Sequence, residues 1–338
     1  MNSADRLPVL DGLRAVSILL VLAAHMLPLG PKVLGLNYTF GVLGMSLFFA
    51  LSGFLITSTL IHNSDICEFL VKRFARIVPL AYAYTFIVFT LVVYDPKAAL
   101  WTATFLINYF PEYMIDNLTN HFWSLCVEMH FYIAIALVVM IWRKKGLWIV
   151  WPACLLVTAM RINDGAYIAI QTHLRVDEIL TGACVATVYQ TSWSSITRYP
   201  MTLAAIAGSL WLLSGIYYLE WVQYLRPYCA ALVLAAVLCH GDTSLARILS
   251  SRIMRYIAAT SYALYVVHPL TIYGWFNQGT IVERYFFKRP ISFTMTLAAA
   301  HVSTFYWERF WIQTGRKWIE ARRMRLARSA VKAGSIPM

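Results

Sequence analysis

Long apolar runs recur along almost the whole chain, and they constrain its fold more than any other feature. The first covers 10–29. Others follow at 40–61, 77–94, 127–142, 147–160, 174–190, 201–219, 227–240, 257–276 and 291–312. Hydrocarbon offers no water to a backbone amide, so a chain crosses it only as helices or as a closed barrel. Many long runs point to helices. Sixty per cent of the 338 residues are hydrophobic and only 13% are charged; soluble domains carry roughly a quarter. The expected fold class is all-α, a polytopic transmembrane helical bundle of about ten spans. The stretch 99–109 is apolar but too short to cross ~30 Å of hydrocarbon, so it reads as re-entrant or interfacial.

The basic residues set an orientation. With the N-terminus in the cytoplasm, Lys72, Arg73, Arg76, Arg143, Lys144, Lys145, Arg198, Arg247, Arg252 and Arg255 fall inside, as does the basic stretch from Arg316 to Lys332. Few cations fall outside, Lys32, Lys97, Arg161 and Arg226 among them. That bias fits the positive-inside rule and puts both termini in the cytoplasm. The first run lacks a basic region followed by a small-residue cleavage site, so it is a span rather than a signal peptide. The expected organisation is one membrane domain, 1–315, and a basic cytoplasmic tail, 316–338. The net charge of +12 lies in short clusters between spans, which fits anionic headgroups and argues against nucleic acid. The six cysteines form no Cys-x-x-Cys pair and read as small buried residues; no metal site is expected.

The first span carries its own chemistry. Arg14 and His25 are eleven residues apart, about three turns, so they share a helix face roughly 16 Å apart along the axis. A boundary arginine can snorkel, whereas an imidazole deep in hydrocarbon needs a partner or a wet cavity. This helix reads as a ruler, with an anion-binding end at Arg14 and a reactive group at His25. Arg73 and Arg76 share a face at the mouth of the third span. Small residues in the second span, Gly41, Gly44, Ser46, Ser52 and Gly53, allow close helix contact.

Other polar residues enter the spans. Glu128 opens the fourth span from the outer side, close to His130 and Tyr132. A carboxylate there requires a partner. Arg175 and Asp177 open the sixth span, either to pair with neighbouring helices or to contact a polar acceptor. His268, before Pro269, reads as a helix-packing histidine. Glu308 either snorkels or pairs with Arg14 or Arg76.

Seven motifs occur in order. They are Leu10-Asp-Gly-Leu-Arg14-x10-His25, Phe49-x2-Ser52-Gly53-Phe54-Leu55-Ile56, Arg73-x2-Arg76-Ile-x-Pro79, Trp123-Ser-Leu-x2-Glu128-x2-Phe131-Tyr132, Arg175-x-Asp177 with Gly182, Ser261-Tyr-x-Leu-Tyr-x2-His268-Pro269, and Ser303-x2-Tyr-x-Glu308. Together they resemble the acyltransferase type 3 family of integral membrane acyltransferases across nearly the whole chain. One departure is Phe310, where the family usually has proline. No appended extracytoplasmic esterase-like domain is seen, so the membrane unit is expected to act alone.

The resemblance implies transfer of an acyl group, usually acetyl, from cytoplasmic acyl-CoA (acetyl-CoA) as co-substrate to a sugar hydroxyl of a cell-surface or exported glycan, in a bacterial inner membrane. It makes Arg14 and His25 the essential pair, and Arg73 and Arg76 the paired-arginine motif. The residue chemistry agrees. Arg14, Arg73 and Arg76 suit the phosphates, the ruler suits the pantetheine arm, and His25 suits a general base, since imidazole titrates near neutral pH. An acetyl-histidine relay is the second variant. Glu128 is a further catalytic candidate, orienting an acceptor or a histidine from the outer side. Trp123, Arg175 and Asp177 are candidates for holding the acceptor. Two other classes compete: a transporter of a glycan or small solute, since intramembrane charges also mark translocation routes, and a glycan-assembly scaffold without catalysis.

Overall fold

The computed structural model describes residues 8–191, 201–239 and 243–332. Every regular element among them is helical, and no strand occurs among them. The expected inside loop at Arg198 and the last six residues, 333–338, lie outside the described residues.

The elements follow from local chemistry. Helix α1 (Pro8–Met26) and α2 (Leu36–His62) are predominantly apolar and separated by a turn at Gly35, whose φ of +58° suits glycine. Asp65 caps α3 (Ile66–Ile87) by accepting from the Glu68 N–H at 3.0 Å. Asp95 caps α4 (Pro96–Ala103) in the same way, with Pro96 at the first helical position. This eight-residue helix and a single turn at Ile107–Tyr109 make up the stretch expected to be re-entrant or interfacial. Next come α5 (Phe122–Trp142), α6 (Val150–Asn163), α7 (Asp177–Thr191), α8 (Met201–Leu213), the short α9 (Glu220–Gln223), α10 (Arg226–Cys239) and α11 (Ser244–Leu249). Helix α12 (Arg252–Thr271) starts at the Ser251 cap. Helices α13 (Arg289–Val302) and α14 (Arg309–Lys332) are joined by a π-helical turn, Ser303–Glu308, with no break. Phe310, in place of proline, lets the helix run on.

Four stretches are long and apolar enough to cross a membrane: Pro8–Met26, Lys32–His62, Ile66–Val92 and Phe122–Asn163. Met201–Leu213 and Arg226–Cys239 are shorter apolar helices.

Close backbone contact holds the centre together. Helix α2 packs on both α1 and α7, and α1 packs on α12. A Cβ on Gly53 would lie 1.8 Å from the Ile179 carbonyl oxygen, and one on Gly182 would lie 1.9 Å from that of Ala50. Glycines on both sides thus let α2 and α7 touch backbone to backbone, as small residues do where lipid supplies no hydrophobic drive. On the other face of α2, Ser17 donates to the Gly44 carbonyl at 2.9 Å. Gly12 meets Leu249, which sets α11 against the first turn of α1.

Residues 316–332, read above as part of a tail, are helical, and the turns up to Arg323 pack against α3. Gly315 abuts Ala75, and Ile319 is buried. Arg322 pairs with Asp65 at 2.6 Å and Arg323 with Glu68 at 2.5 Å. The stripe Ile312, Gly315, Ile319 faces α3 at helical spacing.

Two expected outcomes follow. Gly53→Ala or Gly182→Ala forces the central helices apart and destabilises by roughly 1–3 kcal/mol. Gly208→Ala, where a Cβ meets nothing within 4 Å, leaves the unfolding midpoint in detergent nearly unchanged. The second concerns acid. Partial burial works to raise the Asp65 carboxyl, but the Glu68 N–H and the Arg322 guanidinium outweigh it and hold the group below its ordinary 3.8. Its contribution to docking α14 is full above that value and is lost as pH falls through the depressed one. Hydrogen exchange of 316–329, corrected for intrinsic rate, rises below pH 3.8; Arg322→Ala shows the same rise at neutral pH.

Candidate functional site

Helix α1 has no internal proline or π turn, so Arg14 and His25 stand on one rod about 16 Å apart. His25 packs against buried His268 and remains exposed on its other side. Its Nδ1 lies 2.8 Å from Nε2 of His268, and the two rings stack at 5.0 Å. His268 Nδ1 in turn lies 2.8 Å from the Tyr265 carbonyl oxygen. A carbonyl only accepts, so in a neutral His268 the hydrogen sits on Nδ1 and Nε2 is a bare acceptor. His25 therefore donates from Nδ1, and its Nε2 keeps a free lone pair. The tautomer needed for a base is set by a backbone carbonyl two links away. Sequence reasoning gave His268 a packing role; its one available signal was an imidazole beside a helix-bending proline.

His25 opens on a cavity of about 420 Å³. Asn37, Tyr38, Asn120, His121, Trp123 and Arg175 supply its polar and aromatic lining. His121 is buried with neither ring nitrogen bonded, and its ring lies 5.7 Å from that of His268. Arg175 is 2% exposed. Its guanidinium sits 5.2 Å from the Trp123 ring and 3.3 Å from Glu178, and its Nε and Nη1 lack hydrogen-bond partners. Buried polar atoms seldom go unpaired, so those of His121 and Arg175 make this cavity the candidate binding site.

Asp177 is not in that cavity. Its carboxylate pairs with fully buried Arg161 at 2.5 Å and accepts the Glu178 N–H. Glu178 bonds Arg226 at 2.9 Å. The charges at the start of α7 thus split: Arg175 lines the cavity, while Asp177 joins α7 to α6 through Arg161.

The fourth span was expected to start at about 127; helix α5 starts at Phe122 instead, so Glu128 lies about 9 Å into the helix. It accepts from Ser52 and Tyr132, each at 2.6 Å. It touches no histidine, and its partners are those of the basic end.

That end gathers the remaining candidates. Arg14 lies within electrostatic reach of Arg76, Arg73 and Glu128. Arg73 sits 5.7 Å from the Tyr132 ring and 5.8 Å from the Phe69 ring. Glu308 accepts from Ser303 and Thr304 at 3.2 Å; no ion pair among the described residues joins it to Arg14 or Arg76. Arg73 and Arg76 line a second cavity, of about 540 Å³, together with Lys72 and Arg316. A third cavity, of about 20 Å³, is bounded by Arg14, Ile18, Val21, Met45, Phe48 and Tyr265. It shares Val21, Met45 and Tyr265 with the cavity at His25 and has room for about one water.

Tyr262 donates to the Ile77 carbonyl at 2.6 Å, and Tyr265 to the His121 carbonyl at 2.7 Å. The two tyrosines of the Ser261-Tyr-x-Leu-Tyr motif thus fix α12 to α3 and to the start of α5, which sets the His268 position. No grouping of His, Cys, Asp or Glu among the described residues has metal-ligand geometry.

A family model described as an acyltransferase domain, that of acyltransferase type 3, matches residues 7–307. The chain belongs to the acyltransferase type 3 family. It is 24% identical over 316 residues to the peptidoglycan O-acetyltransferase OatA of Listeria monocytogenes, covering 79% of this chain and 49% of the relative. With the O-acetyltransferase OatA of Staphylococcus aureus it shares 25% identity over 334 residues, 83% of this chain and 53% of the relative. The chain spans about half the length of these curated relatives. No solved structure matches it. The family match covers every motif from Arg14 to His268 and stops one residue before Glu308.

If His25 acts as the base in this family member, His268→Ala slows acyl transfer roughly 10–100-fold, as expected for loss of one charge-assisted hydrogen bond. It also shifts the pH profile of the rate, and His268→Gln, which can still accept from His25, retains more activity than the alanine variant.

Proposed function

We propose that this chain is an integral membrane O-acyltransferase. It moves an acyl group, acetyl foremost, from cytoplasmic acyl-CoA to a hydroxyl of a cell-surface or exported glycan. Peptidoglycan, the acceptor named for its relatives, is the first glycan to test. The observation that carries this reading is a single uninterrupted helix. It bears a cation beside a basic vestibule and, about 16 Å further on, a histidine with one free ring nitrogen.

The chemistry runs along that helix. Arg73, Arg76 and Arg14 receive the donor phosphates from the basic end. The thin acyl-pantetheine arm follows α1, which requires Met45 and Phe48 to move aside; methionine does so readily. The acceptor enters the cavity at the other end, against Trp123 and Arg175. His25 Nε2 takes the proton from the acceptor hydroxyl while its oxygen attacks the thioester carbon. The carbon–sulfur bond then breaks, and the thiolate of CoA recovers the proton from the imidazolium. His268 holds His25 in the working tautomer and shares the charge that develops. Glu128, bonded to Ser52 and Tyr132, positions the arginines rather than the histidine.

The membrane arrangement proposed is about ten spans with both termini in the cytoplasm of an inner membrane. It is supported by α11 abutting the first turn of α1 and by α14 docking on the first turns of α3, which bring basic segments to one end.

The test uses the purified chain in lipid nanodiscs with labelled acetyl-CoA and glycan fragments. Label appears on the acceptor and free CoA accumulates with it. His25→Ala leaves the protein folded and lowers transfer by roughly 100-fold or more. Normal transfer by that variant removes His25 from the mechanism. Solute flux without any CoA dependence replaces the enzyme with a transporter.

A further inference from the structure

The vestibule at the basic end has a wall that the family match does not include. The match ends at residue 307, and α14 follows it. Helix α14 brings Arg316 and Arg323 into the same cavity of about 540 Å³ that Lys72, Arg73 and Arg76 line from α3. Only two carboxylates, Glu68 and Glu320, line it with them. Glu68 is already committed to Lys72 at 2.6 Å and to Arg323 at 2.5 Å. Arg73, Arg76 and Arg316 pair with no carboxylate among the described residues. Cations gathered in one concavity repel each other and draw in an anion to balance them.

The helix is built to stay there. Gly315 lets its backbone approach Ala75, Ile319 is buried, and the Arg322–Asp65 and Arg323–Glu68 pairs fasten its next turn. Arg316, directly after the glycine, is thereby presented across the cavity from Arg73 and Arg76. The volume lies within the roughly 300–1,000 Å³ of small-molecule sites.

We propose that α14 completes the donor site, with Arg316 binding the phosphates of the nucleotide end of acyl-CoA from the side opposite Arg73 and Arg76. This rests on the acyl-CoA reading above. The shared chemistry is a phosphate-bearing anion, and a lipid headgroup is its other source.

The experiment is calorimetric titration of CoA into the full chain in nanodiscs of zwitterionic phosphatidylcholine. The parent binds CoA with an affinity that falls as salt rises. Arg316→Ala weakens binding roughly tenfold, the effect of one lost charge-assisted hydrogen bond. Arg325→Ala, on the same helix but exposed and outside the cavity, changes it by less than about twofold, as expected for a screened surface charge. CoA binding left intact by Arg316→Ala overturns this inference alone, as do equal losses in both variants. An Arg316 effect confined to nanodiscs containing phosphatidylglycerol assigns the cavity to a lipid headgroup and overturns it too. Failure of the parent to bind CoA overturns the donor reading and this inference with it.

Discussion

Polar groups inside an apolar bundle have to find partners within the protein, and this requirement organises the whole molecule. The buried arginines Arg161 and Arg226 are satisfied by Asp177 and Glu178. Glu128 is satisfied by two hydroxyls, and His25 by a second histidine. Ser52 with Glu128, Arg226 with Glu178 and His25 with His268 join helices far apart in the chain, so these polar groups fix which helices meet. Such pairs add little net stability beyond what apolar side chains of equal volume would give, but removing one partner leaves a buried charge that is expensive. The bundle is thus specified by its polar contacts and held shut by its small ones, the backbone approach of α2 to α7 at Gly53 and Gly182.

The histidine pair shows how a network without a carboxylate can set the tautomer of an imidazole. The backbone carbonyl of Tyr265 orients His268, which orients His25. Carbonyls at a proline-containing helix end are natural acceptors for this purpose, because Pro269 has no N–H with which to occupy one. The same proline that bends α12 leaves carbonyl capacity free one turn earlier.

Much of this was legible in the sequence because it is local. Helical class follows from the length of the apolar runs. The alignment of Arg14 with His25 follows from eleven residues on one helix, and the grouping of Arg73 with Arg76 from three. What was not legible is long-range. His268 lies 243 positions from His25, and nothing in its neighbourhood declares the pairing. Gly53 announces a close contact, but its counterpart Gly182 is found only by folding. The place of Glu128 along its helix was misjudged because α5 starts five residues earlier than expected, at Phe122. The stretch from 316 read as a basic tail because its charge hides the sparse stripe of Ile312, Gly315 and Ile319. The loop at Arg198 remains outside the described residues.

The narrow space between Arg14 and Tyr265 has a consequence for the cell as a whole. A protein hollowed from both ends threatens the insulation of the bilayer it sits in. Ions and protons would run down their gradients through any continuous wet path. With about one water's room between Val21, Met45 and Tyr265, the space beyond the His25 cavity is too narrow for a continuous wet path, and any slender molecule that parted these side chains would itself fill the gap it opened.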